Sequence, residues 1–363
     1  MDDQVRFTNE ISPQGHNLLL KFQTSHVTPF CRICRSLHLS KTNNRKEVKY
    51  SLGSWKALNR KATKDPPCPF CALVYSLTSD SRDFYSKGQA SIKWGAKGGF
   101  VLDSNQTILA FLDDGTATSP YGCARAVTSH IDPLLISKWI KLCEVHHEET
   151  CNPKRDVIRA SEGDAGVKVL RVIDTENQCI VEAVPGLRYL TLSYVWGQVV
   201  PSIRLQRNNL AELTTKGALH PLRERLPKTI RDAIDLVKLI GERYLWVDSL
   251  CLIQDDDDDM LDGISHMDLV YQCAILTIIA MHGEDANAGL PGVHAGSRVV
   301  NQEIVAVLPG IKMTIVNGVY ASMHGVYNQR GWTYAKFSNV SLLHIIFLKR
   351  SSVCRRWSSP TEP

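Results

Sequence analysis

The chain has 363 residues, 44% of them hydrophobic and 22% charged, the composition of a soluble globular protein with room for two or three cores. Its formal charge of +5 is uneven: residues 1–98 hold 16 Lys and Arg against 7 Asp and Glu, and the remainder 26 against 30. No apolar run nears the ~20 residues of a membrane span, and MDDQVRFTNEIS lacks a signal pattern, so an intracellular, cytoplasmic protein is expected.

In chain order, residues 1–30 carry few signals and are expected to be poorly ordered. Residues 31–185 form a cysteine-containing N-terminal region. Within it, Leu52, Trp55 and Leu58 repeat at helical spacing, and residues 88–122 suggest short strands and loops. A helix is predicted around Asp132–Cys151, then a hairpin of Val167–Ile173 and Cys179–Val184, then a strand at Tyr189–Tyr194. A short helix is predicted near Asn208–Leu213. Pro227 suits the first turn of the next helix, Ile230, Ala233, Ile234, Val237 and Ile240 form its apolar face, and Gly241 closes it. Tyr244–Val247 reads as a buried strand, residues 261–274 as a second amphipathic helix, and Ile275–Ala280 as a third strand. Strand-like pieces follow at Glu303–Leu308 and Lys312–Val316, and the basic tail from Lys349 is expected to fray. Alternating strand and helix predicts an α/β fold, an open and mostly parallel sheet flanked by helices, with ligands at strand carboxyl ends.

Eleven cysteines in a cytoplasmic chain read as thiols or metal ligands. Cys31-x2-Cys34 and Cys68-x2-Cys71 could supply four thiolates to a structural zinc ion. The same residues could pack a helical hairpin as small apolar groups, and a redox role is the weakest of the three readings. Cys143, His147 and Cys151 share one helix face, a pattern that packing explains better than metal binding.

Two polar clusters end the first two strands: Ser193, Tyr194, Trp196 and Gly197, then Asp248, Ser249 and Cys251. Asp248 is the single catalytic candidate; a carboxylate there could orient a water, bond a ribose hydroxyl or bind a cation. Its structural alternative is a cap on backbone N–H groups. Cys251 has no histidine placed beside it by the sequence, and Ser193 lacks a hydrolase elbow. No phosphate-binding glycine loop occurs. Asp255–Asp259 lacks the alternation of a calcium loop and is expected to be a solvated, extended run with one residue capping a helix.

YLTLSYVWG, LPKTIRDAIDLVKLIGERYLWVDSLCLIQDD, the M-x3-Y-x2-A-x-LTIIA block and RGWT together resemble the heterokaryon incompatibility (HET) domain of filamentous fungi over residues 189–336. Residues 337–363 would follow as a C-terminal tail, short enough that a truncated member is expected. The matching positions are Ser193, Tyr194, Trp196, Gly197, Asp232, Trp246, Asp248, Ser249, Cys251, Gln254, Asp255, Met267, Tyr271, Arg330, Gly331, Trp332 and Thr333. The resemblance implies nonself recognition and programmed cell death, exerted through self-association or contacts with other incompatibility proteins. It also implies a Toll/interleukin-receptor (TIR)-like fold, some members of which cleave NAD. Two carboxylates usual in the family are absent here, at Gly263 and Lys336. Three function classes remain open: a cell-death effector, an NAD- or nucleotide-consuming enzyme, and a zinc-containing nucleic-acid-binding module, the last disfavoured because the basic region offers no aromatic stacking platform.

Overall fold

Apolar residues recurring every three to four positions in KTIRDAIDLVKL, and short unbroken apolar runs on either side of it, dictate helix between buried strands. The computed structural model describes residues 31–36, 49–76, 88–95, 99–102, 107–112, 123–146, 157–158, 166–197, 202–281, 283–300, 302–308, 311–317, 343–347 and 352–356. The elements run α1 (Arg32–Ser36), β1 (Lys49–Ser54), α2 (Trp55–Thr63), α3 (Pro69–Ser76), β2 (Gln89–Gly95), β3 (Gly99–Leu102), β4 (Thr107–Leu112) and β5 (Cys123–Ala124). There follow α4 (Pro133–His146), β6 (Arg171–Asp174), β7 (Cys179–Glu182), β8 (Leu190–Ser193), α5 (Leu210–Leu213), α6 (Lys228–Leu239), β9 (Tyr244–Trp246) and α7 (Asp248–Cys251). The last are α8 (Asp257–Ser265), α9 (Met267–Gln272), β10 (Leu276–Ala280), β11 (Ile304–Leu308), β12 (Ile311–Asn317), β13 (Leu343–Phe347) and β14 (Ser352–Arg356). Among the described residues no helix is long and apolar enough to cross a membrane.

Contacts divide the chain into two compact units, residues 1–126 with 302–320, and residues 127–301 with 321–363. The first unit holds a sheet in the order β1-β2-β3-β4-β12-β11, antiparallel along that path, with β5 beside β4. Leu52, Leu58, Phe70, Leu73, Phe100 and Met313 lie in its buried core. Ser54 starts α2 by accepting a hydrogen bond from Ala57 N, the side-chain cap its position allows.

The second unit holds the sheet β14-β13-β10-β8-β9-β6-β7. Its centre, β13-β10-β8-β9, is parallel, and antiparallel strands flank it on both sides. The α/β class expected from the sequence is the class observed. Every residue of β8 and β10 is buried, as covered parallel strands require. The chain passes from β8 through α6 to β9 on one side, then returns to β10 on the other side of β8. That reversal is a topological switch point, where open α/β sheets form a crevice at the strand carboxyl ends.

Two expectations are corrected here. The single helix expected over residues 261–274 is two, because His266 leaves helical geometry at φ −113°, ψ 16° after the weak helix formers Gly263 and Ser265. Part of the tail expected to fray is strand: β14 pairs antiparallel with β13. Residues 1–30 lie outside the described residues.

Candidate functional site at the strand ends

Because β8 and β9 are parallel neighbours, their carboxyl ends emerge side by side and bring residues 193–197 to residues 247–251. Trp196 Nε1 donates to both oxygens of Asp248, at 3.3 and 3.2 Å. Ser249 N donates to Asp248 Oδ1 at 2.8 Å. Behind this pair, the Tyr194 hydroxyl and Ser249 Oγ lie 3.0 Å apart, both buried. Tyr271, from α9, donates its hydroxyl to Leu192 O at 3.2 Å and packs edge-on against Trp246. Burial, and then the negative charge of Asp248, push the Tyr194 and Tyr271 hydroxyls well above the usual phenol range. Both hydroxyls therefore stay protonated. The result is one half-buried carboxylate against an indole, backed by four hydroxyl-bearing side chains at Ser193, Tyr194, Ser249 and Tyr271.

The loop after β10 closes the rim. Gly197 adopts φ +79°, and a Cβ there would collide with Asp285, so only glycine fits without displacement. Ala286 N donates to Trp196 O at 3.3 Å, while Ala286 O accepts from Thr229 N at 3.0 Å, an otherwise orphaned first-turn donor of α6. Asp232, 2% exposed on α6, fastens the same loop: it accepts from Leu290 N at 2.7 Å and Lys228 Nζ at 3.1 Å. His294 Nε2 bridges Asp232 and Asp235 at 3.2 and 3.1 Å. Arg298 donates to Pro291 O at 2.8 Å and Thr128 O at 3.2 Å.

In the first unit, Cys31, Cys34, Cys68 and Cys71 converge, with all four sulfurs within 4.8 Å of one another. Cys34 and Cys71 sulfurs are 3.5 Å apart, Cys31 and Cys71 3.7 Å. Hydrogen bonding with Cys34, then Cys71, draws Cys68 well below the ordinary thiol range; bonding to Cys68 and Cys71, then burial, pushes Cys34 up. With its four sulfurs this close together, the set could bind a metal ion.

Residues 189–335 match the family model described as Heterokaryon incompatibility protein (HET). These residues are a HET domain. The match ties the chain to heterokaryon incompatibility. No curated protein and no solved structure matches the chain.

Within the HET domain, the sequence-predicted residues do not all share one site. Ser193, Tyr194, Trp196, Gly197, Asp248 and Ser249 meet at the strand ends. Asp232 stands apart, on the loop latch. Gln254 faces backbone: its side-chain amide donates to Asp248 O at 3.1 Å and Leu252 O at 3.0 Å. Asp255 accepts from Arg207 N at 2.8 Å. Cys251 is buried and accepts from Val247 N at 3.3 Å within the turn, and burial pushes its thiol up to about 12. Arg330, Gly331, Trp332, Thr333 and Lys336 lie outside the described residues, as do His147 and Cys151. Gly263 is buried, and a side chain there would displace the Leu252 methyls.

The acidic run is more ordered than its charge suggests. Asp256 caps α8 by accepting from Asp259 N. Asp259 accepts from Ile253 N and pairs with Arg171, each at 2.8 Å. Backbone donors, Arg171 and Arg207 offset the mutual repulsion that would have extended it. Thr229, Lys228, His294 and Arg298 of the latch were not singled out from sequence. The available signal was Asp232 itself, a carboxylate on the apolar face of an amphipathic helix, which must find partners when buried.

Proposed function

We propose that the chain is a cytoplasmic fungal incompatibility effector that triggers programmed cell death on nonself recognition, acting through self-association or contacts with other incompatibility proteins. The observation that carries this over an enzymatic reading is the engagement of Asp248. Its oxygens accept from Trp196 Nε1 and Ser249 N, which makes it a joint between the β8 and β9 loops and reduces its capacity to activate a water. A rim fastened by these hydrogen bonds suits a surface that recognises another protein.

A second reading, NAD or nucleotide consumption by a TIR-like domain, is favoured by one placement. A half-buried carboxylate at the end of β9 lies beside an indole at the end of β8, the strand that borders the switch point with β10, where nucleotides commonly bind. Glu284 is exposed on the loop that contacts Gly197, within the same rim. Separately, we propose that the four-cysteine cluster is a structural metal site rather than a redox centre.

The test is inducible expression of the full chain in a filamentous fungal host, with viability and cellular NAD followed together, beside Asp248→Ala. Loss of viability with NAD unchanged is the expected result. An NAD fall that precedes death and disappears in Asp248→Ala would replace the effector reading with the enzymatic one. Full viability on co-expression with incompatible partners would sink both.

A further inference from the structure

Resting on the structural metal site proposed above, we infer that Cys31, Cys34, Cys68 and Cys71 hold one zinc ion as a closed tetrathiolate, and that this ion fastens α1 to α3. A tetrahedron with zinc–sulfur bonds of about 2.3 Å has sulfur–sulfur edges of about 3.8 Å. The Cys34–Cys71 and Cys31–Cys71 separations of 3.5 and 3.7 Å are edges of that size. The remaining separations stay within 4.8 Å, closer than the sulfurs around an iron–sulfur cluster would stand. A disulfide needs sulfurs about 2.05 Å apart and would join only two of the four.

The donor set has four soft sulfurs and no carboxylate, which selects zinc over magnesium or calcium. Four protein ligands leave no position for water, so the ion is structural rather than catalytic. Cys34, Cys68 and Cys71 are each at most 2% exposed, and sit among Leu58, Phe70, Leu73 and Val74. Cys31 N points a donor at Cys68 Sγ from 3.5 Å, the outer-shell hydrogen bond that tempers thiolate charge.

The mechanical consequence comes from α1. A five-residue helix has no independent stability in water, because nucleation costs more than one turn returns. Cys31 and Cys34 bracket its first turn, and Cys68 and Cys71 bracket the start of α3. One ion bound by all four therefore cross-links two segments 33 residues apart and excludes water from the core edge beneath them.

The experiment takes the purified, reduced full chain and measures metal content by mass spectrometry, beside Cys71→Ser and the second-unit control Cys273→Ser. About one zinc per chain is expected in the parent and control, with at least a tenfold loss in Cys71→Ser. Cobalt exchanged into the parent should show the intense visible bands of a tetrahedral thiolate, a readout that does not depend on the variant folding. Strong chelation should then open residues 31–36 and 49–76 to protease. A parent free of any metal would remove the metal-site reading itself. Bound iron, or cobalt without thiolate bands, would overturn the zinc tetrathiolate and leave a metal site. Zinc removal with no change in protease protection would overturn the link between α1 and α3.

Discussion

Trp196 is the residue on which the strand-end cluster turns. Its ring is half-buried and its single N–H reaches both oxygens of Asp248. On the buried side the Tyr194 and Tyr271 hydroxyls are engaged by Ser249 Oγ and Leu192 O, and burial together with the Asp248 charge keeps both protonated. Trp196→Phe keeps an aromatic ring and removes the donor. A hydrogen bond to a charged group contributes about 1.5–3 kcal/mol, and Asp248 retains Ser249 N. The expected loss is therefore about 1–2 kcal/mol, read as a lower urea midpoint with unchanged slope. An unchanged midpoint would mean that the indole–carboxylate contact contributes nothing net to the fold.

At the scale of elements, the β6–β7 hairpin shows how one carboxylate closes a turn. Asp174, 2% exposed, accepts from Glu176 N and Asn177 N at 3.1 and 3.0 Å. It also accepts from Asn177 Nδ2 at 2.8 Å and from Arg243 at 3.1 and 2.7 Å. Burial alone would raise its carboxyl, but Arg243 and Asn177 outweigh burial and hold it below the usual range. A carboxyl depressed in the folded state stabilises the fold above its unfolded pKa, about 3.9, and that contribution is lost as pH falls through the folded value. Stability should therefore drop on acidification below about pH 4, and Asp174→Asn should be weaker at pH 7 yet lose less on acidification. Parallel thermal melts from pH 7 to pH 3 check both; equal acid slopes would assign the sensitivity elsewhere. The hairpin itself was legible in sequence, because DTENQ separates two apolar runs. So were β8, α6, β9 and β10, because short unbroken apolar runs and a 3.6-residue periodicity are local properties. Asp248 beside Trp196 was partly legible, since parallel strands align their carboxyl ends. The loop latch was not, because Asp232 and Leu290 are 58 positions apart and nothing local announces their pairing. The break at His266 was hidden because apolar residues continue at helical spacing on both sides of it.

At the scale of the whole molecule, sequence continuity and structural membership part company. Residues 302–320 lie inside the 189–335 HET match, yet they fold with residues 1–126. The cause is strand pairing: β12 runs antiparallel to β4 through five residue pairs, from Met313 with Phe111 to Asn317 with Thr107. β11 then completes the edge, and the Thr314 hydroxyl donates to Glu303 O at 2.7 Å across it. Met313 is fully buried in the core that contains Phe70, Phe100 and the cysteine cluster. Truncating it to alanine should cost about 2–5 kcal/mol through lost burial and the cavity left behind. That cost should fall on the first unit. Hydrogen exchange should accelerate in β1–β4, more than 200 positions upstream, while β8, β9 and β10 keep their protection despite sharing the family match with Met313. Acceleration in β8–β10 with β1–β4 unchanged would place residues 302–320 energetically with the domain in which the sequence match puts them, and would sink the division into units drawn from contacts.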